Sequence, residues 1–331
     1  MKKKLIAMLL SAAMCLSLAA CGQKADTPDT TDPAEPSGDA ATYTVGICQL
    51  VQHEALDAAT QGFIDALNEA LPGQVKIEEK NASGDSNSCA TIVNGFVSDG
   101  VDLILANATP ALQAAVAATD SIPILGTAVT EYGVALDIKD FNGNVGGNVS
   151  GTSDLAPLDQ QAAMILELFP DAKKVGILYC SAEPNSVYQS DVVKAELEKS
   201  GVTVSVYTFA DSNDVAAVTA TACDENDVLY IPTDNTAASC TEAINNVAEP
   251  AGVPIIAGEE GICAGCGVAT LSINYYDLGV TTGKMAAKIL TGEANISEMP
   301  IEYFPDPVKK YNPAICEALG ITVPEDYVAI G

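Results

Sequence analysis

With 331 residues, the chain is long enough for two domains of ordinary size once an export segment is set aside. Forty-four acidic residues against fifteen lysines and no arginine give a formal net charge of -29, a surface that repels phosphate backbones and argues against nucleic-acid binding. Without arginine there is no bidentate clamp for a carboxylate or phosphate, so an anionic ligand group must be met by backbone N–H groups, hydroxyls, amides or lysine.

Lys2, Lys3 and Lys4 precede an apolar run from Leu5 to Leu18 and then small residues, the layout of a secretory signal peptide over residues 1–20. The run is shorter than the roughly 18 apolar residues of a spanning helix. Leu18-Ala19-Ala20-Cys21-Gly22 follows and resembles a bacterial lipobox, which implies lipidation of Cys21. Two acyl chains there would hold the protein stably at the outer face of the cell membrane. Residues 21–42 carry Pro28, Pro33, Pro36 and no large apolar side chain, so they cannot repay their ordering entropy and are expected to form a disordered tether.

From Tyr43 onward short β-branched runs alternate with amphipathic helical patterns. Strands are expected at Tyr43–Ile47, Val75–Glu78, Leu103–Ala106 and Pro123–Gly126, with helices at Ala58–Leu67, Ser88–Asp99 and Pro110–Ala118 between them. Such alternation implies a parallel sheet covered on both faces. About 130 residues later the order begins again: Val175-Gly176-Ile177-Leu178 repeats Val45-Gly46-Ile47, and a helix over Val187–Lys199 follows. Val202–Tyr207 then answers the strand at Val75, Asp227–Ile231 answers Asp102–Ala106, and Val253–Ile256 answers Ile122–Leu125.

The expected fold class is therefore α/β, two doubly wound lobes with parallel sheets, whose strand C-termini face each other across a ligand cleft. Val268–Ile273 and the helix Leu278–Leu290 form one further unit assigned to the first lobe, giving a three-crossover hinge. Lobe 1 is then 43–152 plus 268–302, and lobe 2 is 153–267 plus 303–331.

Of ten cysteines, setting aside Cys15 and Cys21 leaves eight, and Cys263-Ala264-Gly265-Cys266 is the single close pair. With no second pair and no nearby histidine this is a poor zinc signal, and no metal or cofactor is expected. One histidine and no Gly-x-Ser-x-Gly elbow leave little for acid–base or triad catalysis, so the chain does not read as an enzyme. The glycine-rich stretch Asn142–Asn148 lacks the lysine and hydroxyl pair that would make it a phosphate loop.

The loops at the strand ends carry a resemblance. Gln52–Asp57, Asn81–Asp85, Ala108–Ala114 and Thr127–Thr130 in the first half, with Gly151–Asp154, Glu183–Ser186, Thr233–Thr236 and Ile273–Gly279 after them, resemble those of ABC-type solute-binding proteins that include tryptophan and aromatic amino-acid binders. The resemblance spans Tyr43 to Glu293 and implies a type I periplasmic-binding fold serving an ABC permease and its ATPase, with an amino acid as the solute. The alternatives it leaves open are a ligand-sensing lipoprotein for a membrane receptor and an importer component for a nucleoside or sugar.

Each of these loops follows a strand end, where ligand-contacting groups belong. Thr109, before Pro110, and at the equivalent place Asn235 or Thr236 beside it, are placed to hold a carboxylate with a hydroxyl or amide and helix N–H groups. An ammonium needs an anionic partner, for which Asp154 and Asp234 are the first candidates and Asp85, Glu183 and Glu259 the second. The resemblance adds His53 and Thr130 in the first half and Asn185 and Ser186 across the cleft. Tyr132 and Tyr188 are the candidate stacking rings for an aromatic solute.

Overall fold

The computed structural model describes residues 43–304 and 307–331; the signal segment, Cys21 and the tether lie outside them. In the first lobe β1 (Tyr43–Gln49), α1 (Glu54–Ala70), β2 (Val75–Asn81), α2 (Ser86–Asp99), β3 (Leu103–Asn107), α3 (Thr109–Ala118), β4 (Ile124–Val129), the short α4 (Tyr132–Ala135) and β5 (Val149–Ser153) follow in turn. The second lobe holds α5 (Leu158–Leu168), β6 (Lys174–Cys180), α6 (Pro184–Lys199), β7 (Thr203–Phe209), α7 (Val215–Glu225) and β8 (Val228–Ile231). It continues through α8 (Asn235–Ala238), α9 (Thr241–Ala251), β9 (Ile255–Ala257), α10 (Glu260–Cys266) and β10 (Ala269–Ser272). Then come α11 (Tyr275–Leu290), β11 (Glu302–Tyr303), β12 (Val308–Tyr311), α12 (Pro313–Leu319) and β13 (Val328–Ala329).

The two sheets have one topology. The first runs β11-β5-β4-β3-β1-β2 and the second β13-β12-β10-β9-β8-β6-β7, so each reverses strand order beside its first strand, between β1 and β3 and again between β6 and β8. The strands of each central run are parallel; β12 lies antiparallel against β10, and β13 runs parallel to β12 at the edge. Matched residues do matched work: the Asp102 carboxylate accepts from Thr44 N at 2.7 Å, and Asp227 accepts from Lys173 N and Lys174 N at 2.8 and 2.9 Å. Each acid closes the start of its lobe's first strand, and β3 and β8, wholly buried, carry near-continuous apolar runs as parallel strands covered on both faces do.

The assignment of 268–302 to the first lobe needs correction. Strand β10 pairs with β9 and β12 in the second sheet, and the chain returns to the first lobe only at α11. The physical reason is the apolar edge beside β9: Ala269 and Leu271 bury there with Val175, Ile177 and Tyr230. The first passage between lobes also falls after Ser153, one residue later than expected, because β5 extends to that residue. In the tail, Glu302–Tyr303 pairs with β5 in the first sheet before β12 joins the second.

Helix α11 is held against α1 by close backbone approach. A Cβ on Gly279 would fall on the Ala59 carbonyl, one on Gly62 on the Tyr276 carbonyl, and one on Gly283 against the Phe63 carbonyl. These glycines let the two helices meet over a shared core of Phe63, Leu67, Met285 and Ala286.

Candidate solute-binding cleft

Seven of the eleven expected site residues follow the strands where strand order reverses, while Asp85, Thr130, Asp154 and Glu259 follow β2, β4, β5 and β9. His53 follows β1 and Thr109 opens α3 after β3; Glu183, Asn185 and Ser186 follow β6, while Asp234 and Asn235 follow β8. This is where open α/β sheets bind ligands, because the diverging loops leave a crevice at the strand C-termini. The lobes touch there, with His53 Nε2 lying 3.3 Å from Asn235 Oδ1.

A cavity of about 260 Å³ opens between the lobes, lined by Leu50, Val51, Asp85 and Pro110 on one side and by Glu183 and Asn235 on the other. The volume lies below the roughly 300–1,000 Å³ of pockets for drug-sized ligands and suits one small solute. Asp85, Glu183 and Asn235 line it; Thr109, next to Pro110, and Asp154 do not. His53 lines an adjoining hollow with Gln52, Thr241 and Gly261, and Glu259 a third with Tyr275 and Asn274.

Several of the expected acids are occupied by their own chain. Glu183 accepts from Asn235 N, Asn235 Nδ2, Thr236 N and Thr236 Oγ1 at 2.7–2.9 Å, so it closes the start of α8. Asp234 accepts from Cys180 N, Ser186 Oγ and Ala237 N, which makes it a cap joining β6 to α8 rather than the free counter-ion expected of it. Burial and the nearby Glu183 push its carboxyl up to about 8. Glu259 caps α10 through Gly261 N and Ile262 N, and burial pushes it up to about 7. Asp85 is exposed and caps α2 through Asn87 N, the contact that holds its carboxyl below the usual range.

Asp154 differs from these. It is fully buried, its Oδ2 accepts from the Tyr275 hydroxyl at 2.9 Å, and its Oδ1 has no partner. Burial raises its pKa, against the opposing pull of Tyr275 and Thr130 beside it. Thr130 is buried, and its carbonyl accepts from Ser153 Oγ at 2.7 Å, which fixes the start of this first passage. Tyr275 is the site residue that the sequence reading passed over, although it stands inside the quoted Ile273–Gly279 motif.

Asn185 and His53 also hold unpartnered buried atoms, Oδ1 and Nδ1. The Asn185 amide is oriented without ambiguity, since its Nδ2 donates to Thr233 O at 2.9 Å and lies 3.3 Å from Glu183 Oε2. Unsatisfied acceptors are costly when buried.

Helix α3 presents the opposite need. Its N-terminus has no side-chain cap, whereas the matched α8 is capped by Asp234 and closed by Glu183. Ala108 precedes it with φ 91° and ψ 158°, a conformation that L-residues avoid, and Ser83 and Ala128 are left-handed in the neighbouring loops. Such strain collects at sites whose surroundings impose it.

The expected stacking rings are not both available. Tyr132 is fully buried, its hydroxyl donating to Thr152 O at 3.0 Å, and its phenol fills the space left by Gly126 and Gly151. Tyr188 is half-buried against the second core, and the cavity lining contains no aromatic side chain. Among the described residues no group of three or more His, Cys, Asp or Glu is arranged to hold a metal ion. Cys263 and Cys266 are buried, with thiols directed at the carbonyls of Gly267 and Ile262.

Comparison with known proteins agrees with this architecture. A curated tyrosine-binding protein of Clostridioides difficile is 35% identical over 303 residues, 90% of this chain and 87% of its own. The structure of an ABC domain from Streptococcus pneumonia in complex with L-Trp is 35% identical, covers 86% of this chain and 97% of its own, and superposes with a TM-score of 0.82. A ligand-free, open substrate-binding protein with adhesive properties from Clostridium difficile is 37% identical, covers 87% of this chain and 99% of its own, and superposes at 0.66. At nearly equal identity and coverage, the chain superposes more closely on the ligand-bound relative than on the open one. The fold is that of type I periplasmic solute-binding proteins, with the cleft of a binder and not of a catalyst. The family described as ABC transporter substrate binding protein matches residues 44–330, and the chain belongs to it.

Proposed function

We propose that this chain is the extracytoplasmic, lipid-anchored solute-binding component of an ABC importer, and that its solute is an amino acid, aromatic ones included. Anchoring rests on Cys21 and its flanking residues, and delivery to a permease and ATPase rests on family membership. The observation that carries the choice of solute is a pair of opposite needs at strand ends of the first lobe. An uncapped helix N-terminus at Thr109 suits a carboxylate, and the unpaired Oδ1 of buried Asp154 suits an ammonium. A zwitterion answers both, and it does so without the arginine that this sequence lacks.

The aromatic preference is drawn from the L-Trp and tyrosine of the two relatives. Tyr275, packed beside Asp154, is the ring nearest the ammonium position. Thermal unfolding of the purified mature protein tests the reading, because a ligand that binds only the folded state raises Tm. L-tyrosine, L-tryptophan or another amino acid is expected to raise it. A panel in which sugars or nucleosides do so and no amino acid does would replace the proposal.

A further inference from the structure

We propose that His53 reads a hydrogen-bond donor on the solute through Nδ1, with its tautomer fixed from the opposite lobe by Glu183 acting through Asn235. The inference rests on the amino-acid reading above and adds to it a specificity-determining residue.

The argument starts at Glu183. Its Oε2 accepts both the backbone N–H of Asn235, at 2.9 Å, and the Asn235 side-chain Nδ2, at 2.7 Å. With the amide nitrogen committed, the amide oxygen is the atom that faces His53, and Oδ1 lies 3.3 Å from Nε2. An amide oxygen can only accept, so Nε2 must carry a hydrogen. In the neutral ring Nδ1 then holds a lone pair, and this atom is shut off from solvent with no partner.

The charged groups around the ring pull the other way without prevailing. Glu183 from the second lobe and Asp57 from α1 both favour the imidazolium, yet burial outweighs them and lowers the pKa of His53. Asp57 is itself engaged by Gln49 Nε2 at 2.6 Å, and Glu54, next in the chain, lines the same hollow as His53. The ring thus joins the lobes with one nitrogen and tests the solute with the other, so recognition and closure occur at one side chain.

His53 is the sole histidine of the sequence, so uniform 15N-histidine labelling reports on one residue when the protein carries no histidine tag. NMR at pH 7.5 is expected to show a protonated Nε2 and an unprotonated Nδ1, with the Nδ1 resonance moving on saturation with L-tyrosine or L-tryptophan. His53→Gln can still place an amide near Asn235 but has no atom at Nδ1, and it is expected to weaken binding of these amino acids at least tenfold while the ligand-free Tm stays close to that of the parent. An imidazolium or an Nδ1-protonated ring, an Nδ1 signal indifferent to saturating solute, or binding by His53→Gln within twofold of the parent overturns the proposal. If no amino acid raises Tm, the amino-acid reading fails, and the tautomer in the free protein still decides whether Asn235 fixes the ring.

Discussion

The Tyr275 hydroxyl donates to Asp154 Oδ2 at 2.9 Å and so ties the second passage between the lobes to the first. One carboxylate oxygen takes this bond and the other has no partner, so under the proposed amino-acid reading an ammonium at Oδ1 would bear on the segment that joins the lobes. Truncating one partner of a buried, hydrogen-bonded charge pair costs roughly 2–5 kcal/mol. Asp154→Asn should therefore weaken amino-acid binding by about 30-fold or more in calorimetry, and Tyr275→Phe by less. Unchanged affinity in Asp154→Asn would remove the ammonium role.

Two buried carboxyls set a pH dependence of stability. Glu259 stands at about 7 and Asp234 at about 8 in the folded protein, whereas an unfolded chain releases these protons near pH 4. The folded state thus holds more protons across that window, so the contribution is complete below about pH 4 and is lost as pH rises through 7 to 8. The lowered pKa of His53 acts in the opposite sense, since its part is lost as pH falls below about 6.5. Glu259→Gln should flatten the decline in unfolding free energy between pH 5 and 8 by about 3 kcal/mol, measured by urea titration at several pH values. A decline as steep as the parent's would place the titration elsewhere.

The contact between α1 and α11 gives a pair of opposed expectations. Gly279→Ala drives a methyl into the Ala59 carbonyl and should cost about 3 kcal/mol, the upper range for overpacking. Gly95→Ala, on the exposed side of α2 with nothing near its Cβ, should gain up to about 1 kcal/mol. Denaturant midpoints that move in the same direction for both would show that close approach at Gly279 is not what holds the helices.

Ala108 is held where glycine is at ease. Ala108→Gly should raise the stability of the ligand-free protein by about 1 kcal/mol, the lower end of the cost of such a conformation. If the strain positions the start of α3 for a carboxylate, the same variant should bind an amino acid more weakly. A gain in stability with no change in affinity would separate the strain from recognition.

Much of this molecule was legible in its residues. The repeat of Asp102–Ala106 by Asp227–Ile231 is a local pattern of one acid and an apolar run, and both strands follow from it, whereas the matched bonds of the two acids came with the fold. The loop positions of His53, Thr109, Glu183 and Asn235 follow equally, since strand alternation places them at strand C-termini before any fold is known. Strand β5, Val149-Ser150-Gly151-Thr152-Ser153, escaped notice because its hydroxyls and glycine show no apolar run. It is a strand because β4 and β11 flank it and Gly151 admits the Tyr132 phenol.

What sequence alone determined was the type and order of most elements, because those depend on periodicity and on turn chemistry within a few residues. Tertiary structure decided which acids remained free. Asp234, Glu183, Glu259 and Asp154 have the same kind of side chain in similar loops, and only the donors brought from Cys180, Asn235, Thr236, Gly261 and Tyr275 distinguish the caps from the carboxylate with an open oxygen. It also decided that β10 stays with the second sheet, since an apolar strand pairs with whichever open edge buries it, and that edge lies beside β9.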